Sequence, residues 1–265
     1  AVTRYSHVAN FASGRHLGNF PQAFTHLSLI NAAINTGVKG FVFTSSIAVY
    51  GQSSLVAMTE DTVPEPEDPY GIAKYAVERE LAASHAMFGL DYMIFRPHNV
   101  YGPRQNLGDR YRNVVGIFMN QILQGQPMTI FGDGTQTRAF SYIDDVAPVM
   151  AAAIDEPRAW NQVFNVGADQ PWPLNDLAAR VAAAMGVEPR ITHLPARREV
   201  HNAHSNHDRI ARVFGPRATT ALDDGLRVMA AWAKVQGARS SQPFYGIEIT
   251  KNLPPSWERQ PAADS

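Results

Sequence analysis

The chain has 265 residues, 45% of them hydrophobic, enough for a sizeable core or two lobes. Lysine and arginine number 23 against 24 aspartates and glutamates, a formal net charge of −1, which argues against a general nucleic-acid or membrane-binding surface. Cysteine is absent, so there is no disulfide framework and no thiolate metal site, and no apolar run approaches the ~20 residues of a membrane span.

Residues 4–9 read as a short polar strand, with Arg4, Ser6 and His7 suited to a sheet edge. Residues 12–19 are Gly-rich and loop-like. The N-terminus lacks the apolar core of a secretory signal, so a cytoplasmic protein is the expectation. From 21 to 36, Ala23, Leu27, Leu29, Ile30, Ala33 and Ile34 are mostly three and four apart, a helical spacing ended by the glycines of 37–40. Phe41 to Phe43 then reads as a buried strand that stops at three hydroxyl residues, Thr44, Ser45 and Ser46. Hydroxyls at the carboxyl end of such a strand sit where open α/β sheets bind ligands.

A Pro- and acid-rich loop leads to Pro69-Tyr70-Gly71-Ile72-Ala73-Lys74, the start of a helix expected to run to about residue 88. Tyr70 and Lys74 are four apart and share one helix face. A free phenol has a pKa of ~10, and a nearby ammonium favours the phenolate. Serine, tyrosine and lysine in this pattern suggest proton transfer. Residues 92–95 form the next strand and feed Arg96-Pro97-His98-Asn99-Val100-Tyr101-Gly102-Pro103. Residues 113–123 read as an amphipathic helix, 127–131 as a strand, 132–138 as a tight loop and 139–143 as another strand. Asp144 and Asp145 are expected to cap a helix over 147–154. A strand at 163–166, an Ala-rich helix at 174–185, a terminal helix at 224–234 and an edge strand at 247–249 complete the reading. His201, His204 and His207 are three apart; Asn202, Ser205 and Asn206 suit a loop as well as a helix, and no metal site is assigned.

Ser-Ser-x-x-Val-Tyr-Gly at 45–51 followed by Tyr-x-x-x-Lys at 70–74 resembles the extended short-chain dehydrogenase/reductases. Within them the chain is most similar to the NAD-dependent nucleotide-sugar 4-epimerases of the UDP-glucose 4-epimerase type. Arg96 to Arg104 resembles the family's Arg-x-x-Asn-x-Tyr-Gly-Pro turn, and 132–138 matches its Gly-Asp-Gly-x-x-x-Arg. The resemblance implies a Rossmann-like doubly wound parallel α/β sheet over 1–100 and 137–170, with a smaller α+β substrate lobe over 101–136 and 171–265. It implies NAD as cofactor and a UDP-sugar as substrate, with a homodimer left open. Tyr70 would be the catalytic base, Ser46 would share the sugar 4-oxygen, and Lys74 would hold Tyr70 ionised and bind the nicotinamide ribose. Ser45 and His98 would border the cofactor. Asn99, Arg138 and Arg197, with Arg198 as the alternative to Arg197, would contact the nucleotide sugar; a planar, permanently charged guanidinium suits a diphosphate.

Reaction type in the family follows the residues between the serine and Val-Tyr-Gly. Ile47 and Ala48 stand where 4,6-dehydratases and related decarboxylases commonly place a carboxyl, so epimerisation is the expected reaction. The family's Gly-x-x-Gly-x-x-Gly strand-turn-helix, which receives the dinucleotide pyrophosphate, is not found in this sequence; Gly14 and Gly18 are four apart and follow no convincing strand. The alternative expectation is therefore an N-terminally truncated, inactive relative that binds a nucleotide sugar or serves as an interaction module.

Overall fold

A computed structural model of the chain describes residues 23–52, 57–109, 113–196 and 200–240. The expected strands at 4–9 and 247–249, and Arg197 and Arg198, lie outside the described residues.

The first helix, α1 (Ala23–Asn35), leads into β1 (Gly40–Thr44), and β1 into a single 3-10 turn (Ile47–Tyr50). Helix α2 (Pro69–Phe88) starts on Asp68, whose carboxylate accepts from the Tyr70 and Gly71 amides, and stops at Gly89 in the left-handed conformation. Strand β2 (Asp91–Pro97) pairs in parallel with β1, Thr44 opposite Phe95. After β3 (Val100–Tyr101) come α3 (Val114–Leu123), β4 (Met128–Phe131), β5 (Thr137–Ala139), β6 (Ser141–Tyr142) and α4 (Ile143–Ala152). Strand β7 (Gln162–Val166) then pairs in parallel with the other side of β2, Val166 opposite Pro97. The chain continues through β8 (Pro171–Pro173), α5 (Leu174–Met185), β9 (Ile191–Leu194), β10 (Asn202–Ala203), α6 (Asp208–Phe214) and α7 (Leu222–Gln236).

The parallel sheet β1-β2-β7 has apolar residues on both faces, as doubly covered strands must. Along β2 the side chains alternate. Ile94 points to a core with Ile30, Phe43, Val77 and Leu81, from α1, β1 and α2. Met93 and Phe95 point to the opposite core, with Val146, Val149, Phe164 and Ile210, from α4, β7 and α6. This is the doubly wound α/β arrangement. A separate core gathers α3, β4, α5 and α7 around Phe118, Met119, Leu177 and Leu226. Helix α6 belongs by sequence to the stretch after 170, yet it packs on β7 through Ile210, Val213 and Phe214.

Three local expectations need correction. The strand expected at 139–143 is two strands broken at Phe140, and Ile143 already begins α4. Asp145 caps no helix; its carboxylate accepts from the Thr220 amide and hydroxyl, tying α4 to the segment before α7. Leu29 faces outward at 40% exposure, while Ile30 and Ala33 carry the buried face of α1.

Candidate active site at the carboxyl rim of the sheet

Three parallel strands end side by side, and each supplies part of the site. The Ser45 amide extends the β1–β2 ladder by one bond to the Phe95 carbonyl, 2.7 Å. Beyond it, Ser46 caps the 3-10 turn, its Oγ accepting from the Ala48 amide at 3.2 Å. A hydroxyl that accepts in this way still has its proton to donate. The first turn of α2 lies against this 3-10 turn. A Cβ on Gly71 would come within 2.5 Å of the Ala48 carbonyl oxygen, so glycine is needed for the approach. Tyr70, the residue before Gly71, lies in the same first turn of α2 and is 38% exposed.

Lys74 lies one turn further along α2 and is only 8% exposed. Its Nζ donates to the Thr44 carbonyl, 2.8 Å, at the end of β1. The ammonium sits 4.9 Å from the centre of the Phe43 ring and 5.7 Å from that of Tyr70. Burial lowers its pKa to about 8, because the charged form loses hydration there. Thr44 takes one of its three N–H groups; the other two suit neighbouring hydroxyls such as those of a ribose.

Ser45 is placed differently from Ser46. It is buried, and its Oγ donates to Glu78 Oε1 at 2.5 Å. Glu78 also accepts from Arg96, Nε to Oε1 at 3.0 Å and Nη2 to Oε2 at 2.5 Å. Arg96 Nη1 donates to the Tyr50 hydroxyl, and that hydroxyl donates to Asn165 Oδ1, 2.8 Å. Asn165 closes the network by donating to the Met58 carbonyl. The sequence reading quoted Tyr50 and Arg96 only as motif positions and passed over Glu78 and Asn165. Two signals pointed to them: Glu78 is four residues after Lys74, on the same helix face, and Arg96 directly follows an apolar strand.

At the end of β2, His98 is buried with Nδ1 3.2 Å from the Ala139 carbonyl. Asn99 adopts a positive φ of 40°, a conformation asparagine tolerates, and donates to the same carbonyl at 2.9 Å. Arg138, immediately before Ala139, donates to the backbone carbonyls of Thr137, His201 and Val200. Asn99 and Arg138 thus flank one corner of backbone, while Ser46, Tyr70 and Lys74 gather at the neighbouring strand end. The segment of His201, His204 and His207 is extended at β10 and turns into α6 only at Asp208, so these residues share no helix face.

Residues 22–167, more than half of the chain, match the family described as NAD dependent epimerase/dehydratase. The chain belongs to that family. A protein described as a putative UDP-glucose 4-epimerase of Methanocaldococcus jannaschii is 32% identical over 200 residues, covering 74% of this chain and 64% of the relative. The chain thus spans less than two thirds of that relative's length. The crystal structure of UDP-glucose 4-epimerase from Thermotoga maritima with UDP-glucose superposes with a TM-score of 0.74 at 32% identity, covering 80% of this chain and 69% of that one. UDP-glucuronic acid 4-epimerase from Bacillus cereus, in complex with a fluorinated UDP-sugar and NAD, gives 0.74 at 28% identity, over 80% and 67% of the two chains.

NAD is the cofactor of the family, and the residues present fit its nicotinamide end. A buried ammonium anchored to the Thr44 carbonyl and an adjacent phenol stand at the carboxyl rim of a parallel sheet. For the pyrophosphate, the sequence contains no Gly-x-x-Gly-x-x-Gly.

Proposed function

We propose that the chain carries the catalytic and nucleotide-sugar-binding part of an NAD-dependent nucleotide-sugar 4-epimerase of the UDP-glucose/UDP-galactose type. Residues 1–100 and 137–170 would contribute to the dinucleotide-binding domain, and 101–136 with 171–265 to the substrate lobe. One observation carries the reading: Lys74 is anchored to the Thr44 carbonyl under the Tyr70 ring, at the strand end that bears Ser46.

In this reading Tyr70 removes the proton from the sugar 4-hydroxyl and returns it after the sugar has turned over. Ser46 donates to the same oxygen and fixes its direction. Lys74 supplies a positive charge next to the phenol and, with Tyr70, would hold the nicotinamide ribose. NAD, when bound, supplies the redox chemistry at C4. Asn99 would hydrogen-bond the nucleotide sugar, and Arg138 and Arg197 would face its diphosphate. Ile47 and Ala48 bring no carboxyl to the serine, which favours epimerisation over dehydration.

A second reading has a specific support. These 265 residues contain no glycine-rich pyrophosphate loop, and each charge-assisted hydrogen bond to the pyrophosphate is worth ~1.5–3 kcal/mol. By themselves they would then bind a nucleotide sugar without turning it over. Proton NMR of UDP-galactose incubated with the protein and NAD separates the two. Epimerisation gives the UDP-glucose anomeric signal, and Tyr70→Phe removes it while leaving UDP-galactose affinity within a few-fold. Calorimetric binding without any conversion supports the second reading. Neither binding nor conversion defeats both.

A further inference from the structure

The short stretch that carries Ser46 is held by side-chain hydrogen bonds at both of its ends, and both lead to one guanidinium. Side chains alternate along β2, so Arg96, two residues after Ile94, points to the same side of the sheet, toward α2. There its Nε and Nη2 donate to the two oxygens of Glu78, at 3.0 and 2.5 Å. Glu78 Oε1 also accepts from the Ser45 hydroxyl, one residue before Ser46. Arg96 Nη1 donates to the Tyr50 hydroxyl at 2.7 Å, and the guanidinium carbon lies 4.7 Å from the centre of that ring. Tyr50 is the last residue of the 3-10 turn that Ser46 caps.

Bond directions in this network follow from the groups themselves. A guanidinium only donates, so the Tyr50 oxygen accepts from Arg96 and its own proton goes to Asn165 Oδ1, 2.8 Å, on β7 directly opposite Arg96. The Glu78 carboxylate accepts from the guanidinium and from Ser45. Ser45, Tyr50, Glu78, Arg96 and Asn165 are all buried, where water does not replace a lost partner. The β1–β2 ladder carries the backbone only as far as the Ser45 amide. Beyond it the bonds found within the turn are local: the Ala48 amide to Ser46 Oγ, the Val49 amide to the Ser46 carbonyl and the Gly51 amide to the Ala48 carbonyl. Val49 packs with Met58 and holds the turn against the protein, but apolar burial has no direction. The bonds at residues 45 and 50 supply the direction.

We propose that Arg96 is a positioning residue for Ser46, clamping the stretch 45–50 at one end through Glu78 and Ser45 and at the other through Tyr50, a role that rests on the reading of Ser46 as the hydroxyl that shares the sugar oxygen with Tyr70. The planar fork matters because two of its nitrogens serve Glu78 while the third serves Tyr50. The ammonium of a lysine is a point charge and does not reproduce that geometry.

Amide hydrogen exchange on the full chain reads the clamp, and steady-state turnover of UDP-galactose with NAD reads its purpose. The Ala48 and Val49 amides both donate to Ser46 and so report how firmly it is seated. Ser45→Ala releases one end and Tyr50→Phe the other; each should speed exchange of these two amides about tenfold relative to the amides of β2. Arg96→Lys should speed it at least as much. Val77→Ala removes core packing from α2 beside Glu78 without touching the clamp, and should leave that ratio at its wild-type value. Ser45→Ala should lower kcat about tenfold with KM within twofold, and should cost nothing further in a Ser46→Ala background. An unchanged exchange ratio in Ser45→Ala and Tyr50→Phe overturns the proposal, as does a full tenfold loss of kcat added to that of Ser46→Ala. If the exchange pattern holds while Ser46→Ala turns over normally, or while the wild type does not turn over, the clamp stands and the catalytic reading of Ser46 fails.

Discussion

At the scale of single residues, the site turns on a lysine that is buried yet charged. Lys74 combines low exposure, a backbone carbonyl acceptor and two nearby aromatic rings. Its lowered pKa has two consequences. An ε-carbon NMR titration of the free protein should show a midpoint of about 8, against 10.5 for an unburied lysine. Between these values the unfolded chain binds more protons at this position than the folded one, so the Lys74 contribution to stability rises with pH across that window. The difference in urea midpoint between wild type and Lys74→Met should therefore shift toward the wild type from pH 8 to 10.5. A constant difference would mean that Lys74 is not desolvated. For turnover, loss of the ammonium beside Tyr70 should cost ~10²–10⁴-fold in kcat, the range typical of general acid–base groups. Glycine matters at one position above all. Gly71→Ala drives a methyl into the Ala48 carbonyl and should pull Tyr70 away from Ser46, reducing kcat more than it reduces stability.

At the scale of elements, a buried ion pair locks helix α2 to the sheet. Glu78 and Arg96 are each 4% exposed and share two hydrogen bonds, with Ser45 as a third donor to the carboxylate. Together with the Lys74–Thr44 bond, this ties two successive turns of α2 to the end of β1. Removing one partner leaves an uncompensated buried charge, so Glu78→Gln or Arg96→Met should destabilise by ~3–5 kcal/mol. Replacing both by apolar residues of similar volume should cost less than either single change, which chemical denaturation of the three variants can check. The same pair shows what could be read from the sequence. Tyr70 and Lys74 were legible because both lie on one helix, where spacing alone sets their relative direction. The partners of Glu78 are on other elements, so no spacing along α2 pairs it with Ser45 or Arg96. Asp145 looked like a cap for the same reason: its partner Thr220 is 75 residues away, while its position before a helix is visible at once. The strand split at Phe140 was hidden because 139–143 alternates no differently from a continuous strand. It is tertiary pairing, β5 with β8 and β10, and β6 with β3, that divides it.

At the scale of the molecule, the parallel β1-β2-β7 sheet sets three strand ends along one rim, and the chemistry-bearing residues follow from that. Ser46 lies beyond β1, His98 and Asn99 beyond β2, and Gly167 to Asp169 beyond β7. Open α/β sheets bind ligands at this edge because loops there carry side chains while the strands behind them stay rigid. The second core, built from α3, β4, α5 and α7, meets the rim through the β5–β6 corner, where Arg138 and Ala139 stand. A substrate reaching from Arg138 to Tyr70 would therefore touch both bodies. The central claim is that Ser46 and Tyr70 act on one sugar oxygen. A double-mutant cycle reads it directly: the affinities of UDP-glucose and UDP-4-deoxyglucose for wild type, Ser46→Ala, Tyr70→Phe and the double variant. With UDP-glucose the two substitutions should be non-additive by about 1 kcal/mol, and with the 4-deoxy sugar they should be additive. Equal coupling for both sugars, or none for either, would contradict the shared oxygen and with it the assigned chemistry.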